Sequence, residues 1–150
     1  AGIRVDIGTD KVCNNNDYDL FLEMRTVAKL TKFREKRPDA ITAREVIDMA
    51  TRAGAEALGL GDEIGELTAG KKADLIILNQ NEIGWSPFHK ADPFTPLVYS
   101  VNGLHVTDVM VDGRWLLQDR HWMTLDMQSA VIELNKSVEK LQELRSADGL

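Results

Sequence analysis

At 150 residues and 43% hydrophobic content, the chain suits one ordinary domain or the end of a larger one, with a real buried core; wholesale disorder is excluded. A net charge of -6, with Lys and Arg scattered, argues against a nucleic-acid partner, and no apolar run approaches the length of about 18 residues that a membrane span requires. The single Cys13 cannot pair internally, which fits a reducing, cytoplasmic setting.

In chain order, residues 2–9 read as a strand. Ile3, Val5 and Ile7 fall on one face, while Arg4, Asp6, Gly8 and Asp10 share the other. These first residues resemble buried strand rather than a signal peptide, and a start on Ala-Gly-Ile is expected of the continuation of something longer. A loop of Asn14, Asn15 and Asn16 precedes a helix over 17–36, with Asp17 or Asp19 as cap. Its apolar stripe is Leu20, Phe21, Met24, Val27, Ala28 and Leu30, and Pro38 closes it. The basic run "KFREKR" at its end reads as a solvated helix terminus. Thr42 and Glu45 form a capping box that opens a second helix carrying Val46, Ile47, Ala50, Ala53 and Leu58, stopped by Gly59 and Gly61.

The texture then turns to β. Residues 73–78 read as a strand after a turn at Gly70, and "SPFHKADPFTPLVYSVNG" reads as a loop followed by a short helical segment. Asp112-Gly113 is a two-residue hairpin turn that pairs Met110 with Trp115 and Val109 with Leu116. Apolar groups on both faces place that hairpin inside a sandwich. A helix over 126–145 carries Val131, Leu134, Val138, Leu141 and Leu144 on one side. Trp85, Trp115 and Trp122 are expected in core packing rather than as a stacking platform.

A strand feeding directly into a helix is typical of parallel sheets, yet no other strand in this chain is a natural parallel neighbour. In a (β/α)8 barrel, Asp10 would stand at the C-terminal end of its strand, where active sites are built. A carboxylate there can ligate a divalent metal and take a proton from the attacking water. The plain alternative is that Asp10 makes a turn or a cap. Cys13 lacks a base nearby in sequence, the nearest His being His89, and reads as a packed or loop thiol. Asp6 and Arg4 share one parity and could pair at the base of a barrel.

The segments "GIRVDIGTD", "NNNDYDLFLEMR", "TAREVIDMATRAGAEALGL", "IGELTAGKKADLIIL" and "DPFTPLVYSVNGLHVTDVMVDGRWL", in that order, resemble the C-terminal third of metal-dependent amidohydrolases. The closest resemblance is to the ATZ/TRZ group of triazine chlorohydrolases and deaminases. It implies an α/β fold: the last strand and helices of a (β/α)8 barrel plus part of a small β-sandwich, with residues 1–60 the last βα unit and following helix, 61–123 half of the sandwich, and 124–150 a C-terminal helix. It also implies that Asp10 binds the metal (zinc, with iron possible) and shuttles a proton. By the same resemblance, Asn15 and Asn16 line the mouth of the site; Asn14 stands where many members have Ser, and Lys11 where Gly is usual.

The family needs a His-x-His pair and further His residues, which His89, His105 and His121 do not supply; each is expected at the surface or partly buried in the β region. The expected function is therefore that of a piece of a hydrolase acting on a C–N or C–Cl bond of a heterocyclic or amidine substrate, inactive alone, with a Glu outside this sequence protonating the ring. Its expected partners are a small-molecule substrate, the remaining barrel segment and further copies of itself. The alternatives are a non-catalytic sandwich and helix module that binds a partner, or a degenerate homologue keeping only the fold.

Overall fold

The computed structural model describes residues 5–85 and 92–147. Its helical layer begins with α1 (Val12–Asn15) and α2 (Leu20–Glu35), followed by α3 (Ala43–Ala50) and α4 (Arg52–Ala57). Helix α2 starts where its side chains allow: Asp19 accepts from the Phe21 backbone N–H at 2.9 Å and is the cap, while Asp17 accepts from the Asp19 N–H. It ends at Lys36, which takes a left-handed conformation with φ 53° and sends its own N–H back to Lys32 and Phe33. Met24 and Ala28 are buried on its inner face. Leu30 is exposed, contrary to the expected stripe, because two residues beyond Ala28 a side chain lies on the far side of the helix.

The capping box at Thr42 and Glu45 is present with both reciprocal bonds. The helix it opens is broken once, at Thr51, whose hydroxyl donates to the Ile47 carbonyl at 2.7 Å. Leu58 is exposed at the end of α4, and Gly59 turns the chain at φ 75°. Gly65 is required by close approach: a Cβ there would stand 2.7 Å from that of Ala55.

Helix α5 (Phe94–Tyr99) packs against α2 and α3. Met24, Ala28, Val46 and Val98 form the buried cluster, with Ile7, Phe21 and Ile47 packed on it. Each fully buried aliphatic side chain here contributes about 1.5–3 kcal/mol. Arg25 donates to the Val101 carbonyl at 2.8 Å, and Lys32 to the Tyr99 hydroxyl at 2.7 Å, tying α2 to the end of α5.

The sheet is antiparallel, in the order β1 (Leu75–Leu78), β2 (Val106–Val111), β3 (Arg114–Gln118) and β4 (His121–Trp122). Asp112 and Gly113 both have positive φ, 49° and 74°, as a two-residue hairpin turn with the twist of its strands requires. Met110 pairs with Trp115 as expected, but Val109 faces Leu117 rather than Leu116, because the register shifts between Val109 and Met110. A second tight turn, at Asp119 and Arg120, also has positive φ at both residues and was not expected from sequence. Thr107 and Asp108 hold it, accepting from the Arg120 and Asp119 N–H groups. Trp85 is buried and Trp115 half-buried, but Trp122 at the β4 edge is exposed. Helix α6 (Met127–Ala147) follows, capped by Asp126, with its apolar side exposed.

The expected strand at residues 2–9 does not form over its described part. Residues 5–11 pair with no strand among the described residues, since extended backbone becomes a strand only when neighbours accept its hydrogen bonds. Ile7 still packs on the helical core, whereas Val5 is 57% exposed. Ile3 and Arg4 lie outside the described residues. Between α2 and α3 and the facing side of the sheet lies an open apolar groove of about 840 Å³, lined by Phe21, Met24, Ile47, Leu75 and Met110.

Two outcomes test this architecture. Gly113→Val should lower stability by at least about 1 kcal/mol in urea unfolding, because a β-branched residue is strained at positive φ; an unchanged midpoint would contradict the turn geometry. The Glu45 carboxyl is held below its ordinary value of 4.5, first by the Thr42 backbone N–H and then by the Thr42 hydroxyl. A lowered folded pKa means that the cap's contribution is fully present above the unfolded value and is lost as pH falls through the folded one. The destabilisation caused by Glu45→Ala should therefore be clear at pH 7 and shrink as pH falls below the ordinary value of 4.5; an effect that does not change with pH would contradict the assignment.

Candidate active site

Asp10 is exposed and sits at the start of the one-turn helix α1, with φ 58°. A left-handed residue other than Gly costs about 1–2 kcal/mol, and Asp is among the few types that adopt it readily. The turn that follows closes with the Asn15 N–H donating to the Lys11 carbonyl at 3.0 Å. Asn16 ends it at φ 55°, another left-handed position suited to Asn. The expected loop of three Asn is thus helical over its first two members, since Val12–Asn15 forms a turn.

The side chain of Asn15 does not stand apart from the fold. Its amide nitrogen donates to the Thr9 carbonyl at 2.9 Å and to Glu23 Oε1 at 2.7 Å. Glu23 lies one turn into α2, on the acidic side of that helix's N-terminus. Asp10, the Asn15 amide and the first turn of α2 therefore form one connected unit. Glu23 was not among the residues expected from sequence. The only signal was an acid eight positions after an Asn, a spacing that means nothing until the intervening turn is known. Asp19 reaches further, accepting from the Gly103 N–H at 2.9 Å just before β2.

The remaining chemically active residues lie elsewhere. Cys13 is exposed on α1 rather than packed. His105 is buried in the turn before β2, with Nδ1 2.9 Å from Asn102 Oδ1 and Nε2 3.9 Å from Glu82. His121 is exposed at the sheet edge, and His89 lies outside the described residues. Among the described residues, no three of His, Cys, Asp and Glu come together to hold a metal ion. Asp10 brings one carboxylate, where a zinc centre takes about four ligands. The described residues do not by themselves fit a metal.

The model of the Amidohydrolase family matches residues 1–116, well over half of the sequence. The chain belongs to the amidohydrolase family. Among curated relatives, this amidohydrolase chain is 40% identical over 141 residues to a 5'-deoxyadenosine deaminase of Methanobrevibacter smithii, covering 94% of the chain and 32% of the relative. It superposes with a TM-score of 0.90 and 33% identity on an adenosine deaminase from Xanthomonas campestris with bound zinc, over 94% of this chain and 32% of that one. Atrazine chlorohydrolase TrzN from Arthrobacter aurescens TC1, complexed with zinc, superposes at 0.79 with 28% identity, over 90% and 30%. These neighbours agree with the ATZ/TRZ type of amidohydrolase. The chain spans about a third of the length of the curated relatives it matches. No helix among the described residues is long and apolar enough to cross a membrane.

The 150-residue chain should bind zinc weakly. After dialysis against a mild chelator, metal analysis should find far less than one zinc per chain; tight stoichiometric zinc would mean that the ligand set is complete without further residues.

Proposed function

We propose that these residues supply the final third of a hydrolase that removes an amino group from the purine ring of an adenosine-type nucleoside. Water adds to the ring carbon that bears the amino group and the C–N bond breaks. One proton of the water, passed on by Asp10, leaves with the amino group as ammonia, and the other stays on the neighbouring ring nitrogen beside the new carbonyl. The observation that carries this reading is the 40% identity to a 5'-deoxyadenosine deaminase across 94% of the chain. The chlorohydrolase neighbour is less similar in both sequence and shape, so cleavage of a C–Cl bond is the second choice.

In this reading residues 1–60 are the last βα unit of a barrel, 61–123 one half of a small sandwich, and 124–150 a helix packed beside them. The described part of the segment 2–9 becomes a barrel strand once the other strands accept its hydrogen bonds. A divalent metal, zinc before iron, belongs to the complete protein, with its other ligands outside the described residues. Asp10 is the carboxylate that this segment contributes, and its exposed, turn-held position suits a group that must meet substrate. Asn15 and Asn16 border the substrate's approach. The complete protein works as a homo-oligomer in the cytoplasm, and the 150 residues alone are inactive.

Asp10→Asn keeps size and removes the proton acceptor. In the full-length protein, turnover of a 5'-deoxyadenosine-type substrate should fall by about 10²-fold or more, at the lower end of general-base contributions, with the melting temperature barely changed. Turnover within about twofold of the parent would leave Asp10 as a turn residue and sink the reading.

A further inference from the structure

We infer that Glu23 is a positioning residue for Asp10, acting through the side chain of Asn15; the inference rests on the proposed role of Asp10. The peptide joining Thr9 to Asp10 is planar, so whatever fixes the Thr9 carbonyl also fixes the plane that carries the Asp10 nitrogen. The Asn15 amide holds that carbonyl at 2.9 Å. An amide has two N–H donors, and the second goes to Glu23 Oε1 at 2.7 Å. With both donors used, the plane of the Asn15 side chain is set from the helix side rather than left to rotate. Glu23 lies in the first turn of a 16-residue helix whose inner face carries buried Met24 as its next neighbour, so the acceptor is on a rigid support.

The left-handed backbone at Asp10 gives the latch something to hold. A residue in that region stays there only when its surroundings over-determine it. Among the restraints on this segment are the Thr9 carbonyl bond, the Asn15-to-Lys11 backbone bond and the packing of Ile7 on the helical core. Asn15 takes part in two of them, and Glu23 orients Asn15. Loss of the Glu23 acceptor leaves one amide donor unmatched and lets the side chain turn away from Thr9. The peptide plane before Asp10 then relaxes, and the carboxylate samples directions that are unproductive.

Glu23 acts as an acceptor and not as a charge, which gives the test its form. Glu23→Ala removes the acceptor, and Glu23→Gln retains an oxygen at the same reach. The first readout is exchange of the Asn15 backbone N–H in the full-length protein, which requires no activity. The second is kcat and KM of the full-length enzyme. Glu23→Ala should speed exchange at Asn15 and lower kcat by about 10-fold to 10²-fold, the range a small misplacement of a reacting group produces, with KM within about twofold. Glu23→Gln should restore both, and Asn15→Ala combined with Glu23→Ala should lower kcat no further than the larger single effect.

Unchanged exchange and unchanged kcat in Glu23→Ala would overturn the inference, as would faster exchange without loss of kcat. Failure of Glu23→Gln to rescue would overturn the acceptor role. If Asp10→Asn is silent, the functional reading falls with the positioning claim, while the exchange arm still decides whether the latch exists.

Discussion

The structure depends on the burial of one face of helix α2 against α3 and α5. Ala28, Val46 and Val98 meet with no exposure at all, and the small Ala lets the helices approach closely enough for the two valines to be covered. Everything at the candidate site is measured from this helix. Its N-terminal turn carries Asp19 and Glu23, and those two carboxylates reach outward to Gly103 and Asn15. A turn as short as α1 cannot hold its own shape by helix formation, because nucleation is unfavourable and so short a helix gains few closing bonds. It is ordered because it is tied to something already ordered.

The rest of the molecule shows the opposite condition. Ile76 and Ile77 are neighbours in β1 and point to opposite faces, and both are about half exposed. Helix α6 presents Val131, Leu134, Val138 and Leu141 to solvent, and a wide apolar groove separates the helices from the sheet. Apolar surface of that extent belongs in contact with something. Relatives three times as long provide a ready account of it, and the same account explains why residues 5–11 are anchored to the helices yet pair with no strand among the described residues.

Much of the local structure was legible in the sequence because it is written in short-range chemistry. Asp19 before an apolar period, Thr42 with Glu45 three positions on, and Asp112-Gly113 between apolar runs each specify their geometry within a few residues. Features that depend on distant partners were not legible. The opening strand needs hydrogen-bonding neighbours that no described strand provides. The slip from Leu116 to Leu117 opposite Val109 comes from an irregularity in the pairing between Val109 and Met110, which residue types alone do not specify. The turn at Asp119 and Arg120 contains no Gly or Asn, and it exists because Thr107 and Asp108 on the adjacent strand offer acceptors to its N–H groups. At the candidate site, the order of the elements pointed to Asp10, but the tie from Asn15 to Glu23 required the fold.

Asp19 has a consequence for how the molecule comes apart. One oxygen of its carboxylate terminates α2 at Phe21, and the other accepts the N–H of Gly103, 84 residues away at the threshold of the sheet. A helix end and a sheet entrance thus share a single group with no spare atom between them. Fraying of the helix releases the sheet's tether, and detachment of the sheet weakens the helix's first turn. Together with the Arg25 bond to the Val101 carbonyl, this shared carboxylate couples the opening of one layer to the opening of the other across the groove.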